Sequence, residues 1–173
     1  GSADVNTYKL FLELAPALLK PGGRLGFVVP SGLYSDKGSS ALRELFLDRC
    51  RWEWLFGFEN RQKLFDIDSR FKFAPIVITK GGTTEAVRAA FMHHDLADWE
   101  QAERHALRYP RAQVERFSPR TRALLEVRSP RDLEVLERAF SDGVLLGDRQ
   151  VNEWFSWHGR ELHMTDDRRL FAS

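Results

Sequence analysis

Residues 7–30, TYKLFLELAPALLKPGGRLGFVVP, leave this chain few folds to adopt. Leu10, Leu14, Ala17 and Leu18 recur at helical spacing, so the segment opens as an amphipathic helix with these side chains on one face. Pro21 and the pair Gly22-Gly23 cannot continue that helix, and glycine supplies the positive φ of a C-cap. Arg24 then opens the run Leu25, Gly26, Phe27, Val28, Val29, which has no polar alternation. A strand with no polar face reads as buried on both sides, the situation in a parallel sheet sandwiched by helices. The class is therefore α/β, entered on a helix rather than on a first strand.

The remaining composition narrows the chemistry more than the fold. Hydrophobic residues at 43%, with 12% aromatics, suffice for a packed core in 173 residues. A net charge of +1 gives no bulk electrostatic case for nucleic acid, so any basic surface must be local. The single cysteine, Cys50, excludes internal disulfides and cysteine-rich metal clusters, and fits a reducing cytoplasm. No apolar run approaches the roughly 20 residues of a membrane span, so no membrane partner is expected. All six lysines precede residue 81, whereas 14 arginines and no lysine follow between Arg88 and Arg169. That shift places a boundary near Gly81-Gly82, giving segments 1–82 and 83–173.

Along the chain, SGLYSDKGSS after Pro30 is a polar loop at the carboxyl end of a strand, where open α/β sheets place ligand sites. A helix is predicted over 39–49, an aromatic strand over 52–58 and an apolar strand over 74–80. Too few residues without a helical pattern separate these strands for a crossover, so they read as antiparallel neighbours. EAVRAAFM (85–92) reads as one further strand, and a helix is expected over 96–107 behind Asp95. Ser118 to Leu125 reads as a short helix. Ser129-Pro130-Arg131-Asp132 is a helix start, with Leu133, Leu136 and Phe140 on the inner face until Gly143. The final segment, 151–173, shows no strong periodicity.

The helix–KPGG–strand unit resembles the helix and fifth strand of S-adenosylmethionine-dependent methyltransferases. The order over residues 4–82 is that of the second half of such a domain: helix, fifth strand, helix, then antiparallel sixth and seventh strands. Within that superfamily the chain resembles N6-adenine DNA methylases of bacterial restriction–modification and phage-defence systems. Four stretches carry the likeness: NTYKLFLELAPALLKPGGRLGFVVPSGLYSDKG, FGFENRQKLFDIDSRFKFAPIVITKGG, DLADWEQAE and ELHMTDDRRLF. The resemblance implies an α/β fold, the second half of a Rossmann-like methyltransferase, followed over 83–173 by a mainly helical segment leading toward target recognition. The family's glycine-rich cofactor turn and its Asn-Pro-Pro-aromatic motif do not occur in this sequence. The expectation is a fragment, inactive alone, whose parent enzyme uses S-adenosyl-L-methionine that the fragment by itself does not bind.

N6 methylation requires an adenine taken out of the duplex, because its amino group is otherwise paired. In the family an aromatic in the loop before the seventh strand supplies one stacking face. Here that loop holds Phe65, Phe71 and Phe73, with Arg70 and Lys72 between them. The resemblance assigns Phe65 first, with Phe71 its rival, and either also fits plain core packing at a strand start. Interleaved cations suit a splayed-out base beside phosphates. The resemblance puts Phe11 near the cofactor's adenine ring, with Tyr8 beside it as a second cofactor candidate. Tyr34 and Lys37, in the loop after Pro30, lie where DNA should approach.

Other residues read more plainly. His93, His94 and His105 with Asp95 show no metal-binding spacing and read as surface histidines, so no metal is expected. Asp66 and Asp68 lack the glycine and distal glutamate of a calcium loop. The partners implied are duplex DNA with a flipped adenine and the rest of the same polypeptide, with self-association through the bare edge of a half-sheet. A non-catalytic α/β module binding DNA or protein is the alternative, and a methyltransferase acting on RNA, protein or a small molecule a third.

Overall fold

The computed structural model describes residues 6–145. The segment 151–173, including the ELHMTDDRRLF stretch, lies outside the described residues. Residues up to Arg138 form one compact unit and those from Ala139 a second.

Helix α1 (Thr7–Leu18) stops before Gly22, whose φ of +76° gives the turn that only glycine adopts without strain. Strand β1 (Arg24–Pro30) follows, then the one-turn α2 (Gly32–Ser35), α3 (Ser40–Arg49), β2 (Cys50–Glu59) and β3 (Lys72–Lys80). Next come β4 (Ala86–His93), the short helices α4 (Leu96–Glu100) and α5 (Ala102–His105), β5 (Leu107–Pro110), α6 (Arg111–Phe117) and α7 (Pro130–Asp142). The strands form one mixed sheet in the order β1-β3-β2-β4-β5. As expected, β2 and β3 are antiparallel; β1 also pairs antiparallel with β3, and β4 runs parallel to β2.

The α/β class stands, with three departures from the sequence reading. First, β1 is not buried on both faces. Leu25 and Val29 are in the core, but Val28 is exposed, because β1 is an edge strand whose second face is uncovered among the described residues. Second, α1 packs through Tyr8, Leu12, Ala15, Pro16 and Leu19, leaving Leu10, Phe11, Leu14 and Leu18 exposed. The apolar face that periodicity picks out is thus the one turned away from this sheet. Third, the sheet continues past Gly82 through β4 and β5, so the boundary expected there falls inside one sheet.

The helix expected over 96–107 is split at Gln101, and Leu107 opens β5 instead because the free edge of β4 offers a ladder. No helix forms from Ser118 to Leu125, whose backbone groups are committed elsewhere. The Thr121 carbonyl accepts from Arg43, Leu124 N–H donates to the Tyr34 carbonyl, and the Leu125 carbonyl accepts from the Tyr109 hydroxyl. The start of α7 does carry its capping box. Ser129 Oγ accepts from Asp132 N–H at 3.2 Å, and the Asp132 carboxylate accepts from Ser129 N–H at 3.1 Å.

One face of the sheet carries the main core. Trp52, Leu55, Ile76, Ile78, Val87 and Ala89 lie there under α1, α3 and α6, with Leu133 and Leu136 of α7 packed on the cluster. Trp52 and Phe46 meet edge to face at 5.8 Å. Arg43 is fully buried in this layer and held by three carbonyls: Leu33 at 2.7 Å, Thr121 at 2.8 Å and Asp36 at 2.9 Å. Burial pushes its guanidinium down to about 10, which still leaves it charged at neutral pH.

Candidate functional site

Antiparallel pairing fixes where a site can form. Pro30, at the end of β1, is in register with Phe73 near the start of β3, and Ser31 N–H donates to the Lys72 carbonyl at 3.0 Å. The loop between β2 and β3 therefore emerges beside the carboxyl end of β1. Between them opens a cleft of about 700 Å³ lined by Tyr8, Gly32, Asp36, Arg70, Phe71 and Lys72, among others. A Cβ at Gly32 would stand 2.4 Å from Asp36 Oδ2, so a larger residue there would have to displace the Asp36 carboxylate from the cleft wall.

A single buried side chain shapes the loop. Asn60 closes β2, and its Nδ2 donates to the carbonyls of Phe65 (2.9 Å) and Ile67 (3.2 Å), while Oδ1 accepts from Phe65 N–H (3.0 Å). Asn60 N–H also donates to the Phe71 carbonyl at 2.9 Å. Both ends of the loop are thereby tied to one residue, so the cleft wall is formed before any ligand arrives. Phe71, 56% exposed, stands at the cleft. Phe65, 45% exposed, lies edge-on against Phe73 at 4.8 Å, and Phe73 stacks on Phe58 at 5.3 Å.

The cations of the cleft are already paired. Arg70 holds Asp68 at 2.7 Å, and its guanidinium pulls that carboxyl down to about 2. Lys72 donates to Glu126 at 2.5 Å and lies 3.4 Å from Glu59. The hydrogen bond to Glu126, helped by Glu59, raises the Lys72 ammonium above its ordinary value. Glu126 also accepts from the Tyr34 hydroxyl at 2.7 Å. Burial first, then that hydrogen bond, drives the Tyr34 phenol well above the usual tyrosine range. At Glu59 burial works to raise the carboxyl, but hydrogen bonds with Arg61, His94 and Lys72 outweigh it and hold the group low.

Of the residues singled out by sequence, the cleft brings together Tyr8, Arg70, Phe71 and Lys72. Phe11 does not line it and is 60% exposed on α1. Tyr34 is a core residue whose hydroxyl donates to Glu126 rather than facing the cleft. Lys37 is exposed in the short helical turn that follows α2, and Phe65 lies on Phe73. Sequence reasoning missed Asn60, Gly32, Asp36, Glu59 and Glu126. An asparagine just after a strand is a turn signal that points to Asn60. Glu126 carries no local signal, being 54 residues from Lys72.

Comparison with known proteins gives a family match for part of the chain and a likeness in fold. Residues 1–65 match the Eco57I restriction-modification methylase family. No curated protein matches the chain. Among solved structures, a chain of a type I R-M system is similar with a TM-score of 0.57 at 18% identity, over 79% of this chain and 36% of that one. A modification subunit of a putative type I restriction enzyme from Vibrio vulnificus YJ016 is similar with the same TM-score and identity, over 79% of this chain and 34% of that one. The chain thus spans about a third of the length of the solved chains it matches. At that identity the structural likeness speaks for the fold, a mixed α/β sheet. The family match over residues 1–65 upholds the resemblance to restriction–modification methylases.

Proposed function

We propose that these residues are part of a site-specific DNA adenine-N6 methyltransferase of a restriction–modification or phage-defence system, and that the cleft beyond β1 is one wall of its flipped-adenine pocket. The observation that carries this is the convergence of Phe71, Arg70 and Lys72 from the β2–β3 loop with Tyr8 of α1 around one opening. A flipped base needs a flat surface to stack on, and Phe71 offers an exposed ring. Phosphate contacts then fall to Lys37 and to Arg70, the latter exchanging Asp68 for the backbone. Lys72, tied to Glu126 and Glu59, holds the wall in place rather than reaching outward.

S-adenosyl-L-methionine is the cofactor of such a parent enzyme, where it supplies the methyl group. Tyr8 and Phe11 are the residues of this chain offered to it. Only Tyr8 lies in the cleft, so these residues make at most one side of a cofactor site. The exposed strip Leu10, Phe11, Leu14 and Leu18 is then covered by the remainder of the same polypeptide, or by a second copy when the chain is isolated. The segment following the sheet leads toward target recognition.

The test is methyl transfer from labelled S-adenosyl-L-methionine to DNA. The 173-residue chain alone is expected to label nothing. The longer polypeptide, carrying the glycine-rich turn and the Asn-Pro-Pro-aromatic motif, is expected to label adenine. In it Phe71→Ala should lower kcat/KM by roughly tenfold or more, since base–aromatic stacking is worth about 1–3 kcal/mol. Label on cytosine, RNA or protein overturns the proposal. The exposed α1 strip favours one second reading, a non-catalytic protein-binding module, in which the longer polypeptide also labels nothing.

A further inference from the structure

The far end of β4 gathers three side chains of metal-ligating type from three elements. His93 is the last residue of β4, Asp98 lies in α4, and His105 ends α5. One ligand atom from each lies within 4.8 Å of the others. His93 Nδ1 is 3.3 Å from Asp98 Oδ2. Bonds of about 2.0–2.1 Å around a tetrahedral ion place neighbouring ligand atoms about 3.3–3.4 Å apart, so this pair already has ligand spacing. Sequence reading weighs His93, His94 and His105 with Asp95 and takes the histidines as surface residues, because no pair has the spacing of a helical metal motif. The fold supplies what spacing cannot, by turning two short helices back onto the strand end.

Their surroundings favour a bound ion. The His93 ring is stacked on Phe56 at 4.4 Å, which fixes its orientation, and its centroid lies 5.5 Å from that of His105 with the ring planes 17° apart. Trp99 stands edge-on to Phe56 at 5.3 Å and adds to an apolar wall beside the cluster. α4 and α5 have five and four residues, too few to be held by their own hydrogen bonds. An ion shared by the three side chains would fasten both helices to the sheet.

We propose that His93, Asp98 and His105 bind a transition-metal ion of the zinc class through two imidazoles and one carboxylate, with water completing the coordination. Two nitrogen donors disfavour magnesium and calcium, which take oxygen ligands. The role assigned is structural, and it stands independently of the methyltransferase reading.

The experiment is titration of the untagged, chelator-treated full chain with Zn²⁺ by calorimetry and with Co²⁺ by visible absorption. One equivalent is expected to bind, with a four-coordinate cobalt spectrum, no competition from Mg²⁺ and a zinc-dependent rise in Tm. His105→Gln changes an exposed side chain and should weaken binding about tenfold or more; Asp98→Asn should do the same. His94→Gln should leave binding unchanged, as should removing His158 and His163, which lie outside the described residues. Absence of binding below millimolar zinc overturns the proposal. So does undiminished one-to-one binding by His105→Gln.

Discussion

The two faces of the sheet are built on different principles. On one, Trp52, Leu55, Ile76 and Ile78 are sealed under helices, and Arg43 has a carbonyl for each nitrogen it offers. On the other, Phe56, Phe58, Phe73 and Ala90 form a smaller aromatic cluster, half roofed by α4, α5 and the β2–β3 loop. Close packing makes the first face intolerant of change. The second face continues into half-exposed rings and ion pairs that can exchange partners. Tight and half-open packing are thus divided between the two sides of one sheet, and the cleft draws on both, with Tyr8 packed on the sealed side and Phe71 on the β2–β3 loop.

That division is testable by paired substitution. Trp52→Ala on the sealed face should cost about 3–5 kcal/mol in chemical denaturation, because it opens a large cavity under rigid helices. Asn60→Ala should cost less, about 1–3 kcal/mol, by leaving loop carbonyls without a donor. Its larger signature is faster amide exchange over residues 63–71, and unchanged exchange there would show that the loop holds itself. Trp99→Ala on the open face, where the ring is 41% exposed, should cost about 1 kcal/mol or less, mostly the area term. A loss matching that of Trp52→Ala would erase the contrast.

The smallest effect expected is electrostatic. Glu59 is held below its ordinary 4.5, so its stabilisation is complete above that pH and fades as pH falls through the lower folded value. Lys72 is held above its ordinary 10.5, so its stabilisation is complete below that pH and fades only as pH rises past the raised value. Tm should therefore fall more steeply between pH 5 and pH 3 in the native chain than in Glu59→Gln. Equal slopes would mean that the network beside the cleft contributes nothing.

What was legible in the sequence is what local physics decides. Alternation and apolar runs located β2, β3 and β4, glycine ended α1, and Ser129 with Asp132 marked the start of α7. Choices made by distant partners were not legible. Leu10 and Leu14 share a helical face, yet Leu12 and Pro16 are the residues this sheet buries. Residues 118–125 look helical and instead give their carbonyls to Arg43 and Tyr109. In the cleft, Arg70, Phe71 and Lys72 were readable as cations interleaved with an aromatic, whereas Glu126 reaches Lys72 only through the tertiary fold.

Asn60 grips its loop through main-chain atoms alone: the carbonyls of residues 65 and 67 and the N–H of residue 65. Such a grip is indifferent to which side chains the loop displays. The course of the loop and its lettering are therefore separate variables, and the residues facing the cleft can be rewritten while the frame that presents them stays put. The loop is thus a frame whose display can change, held from beneath by a buried residue that takes no part in the display.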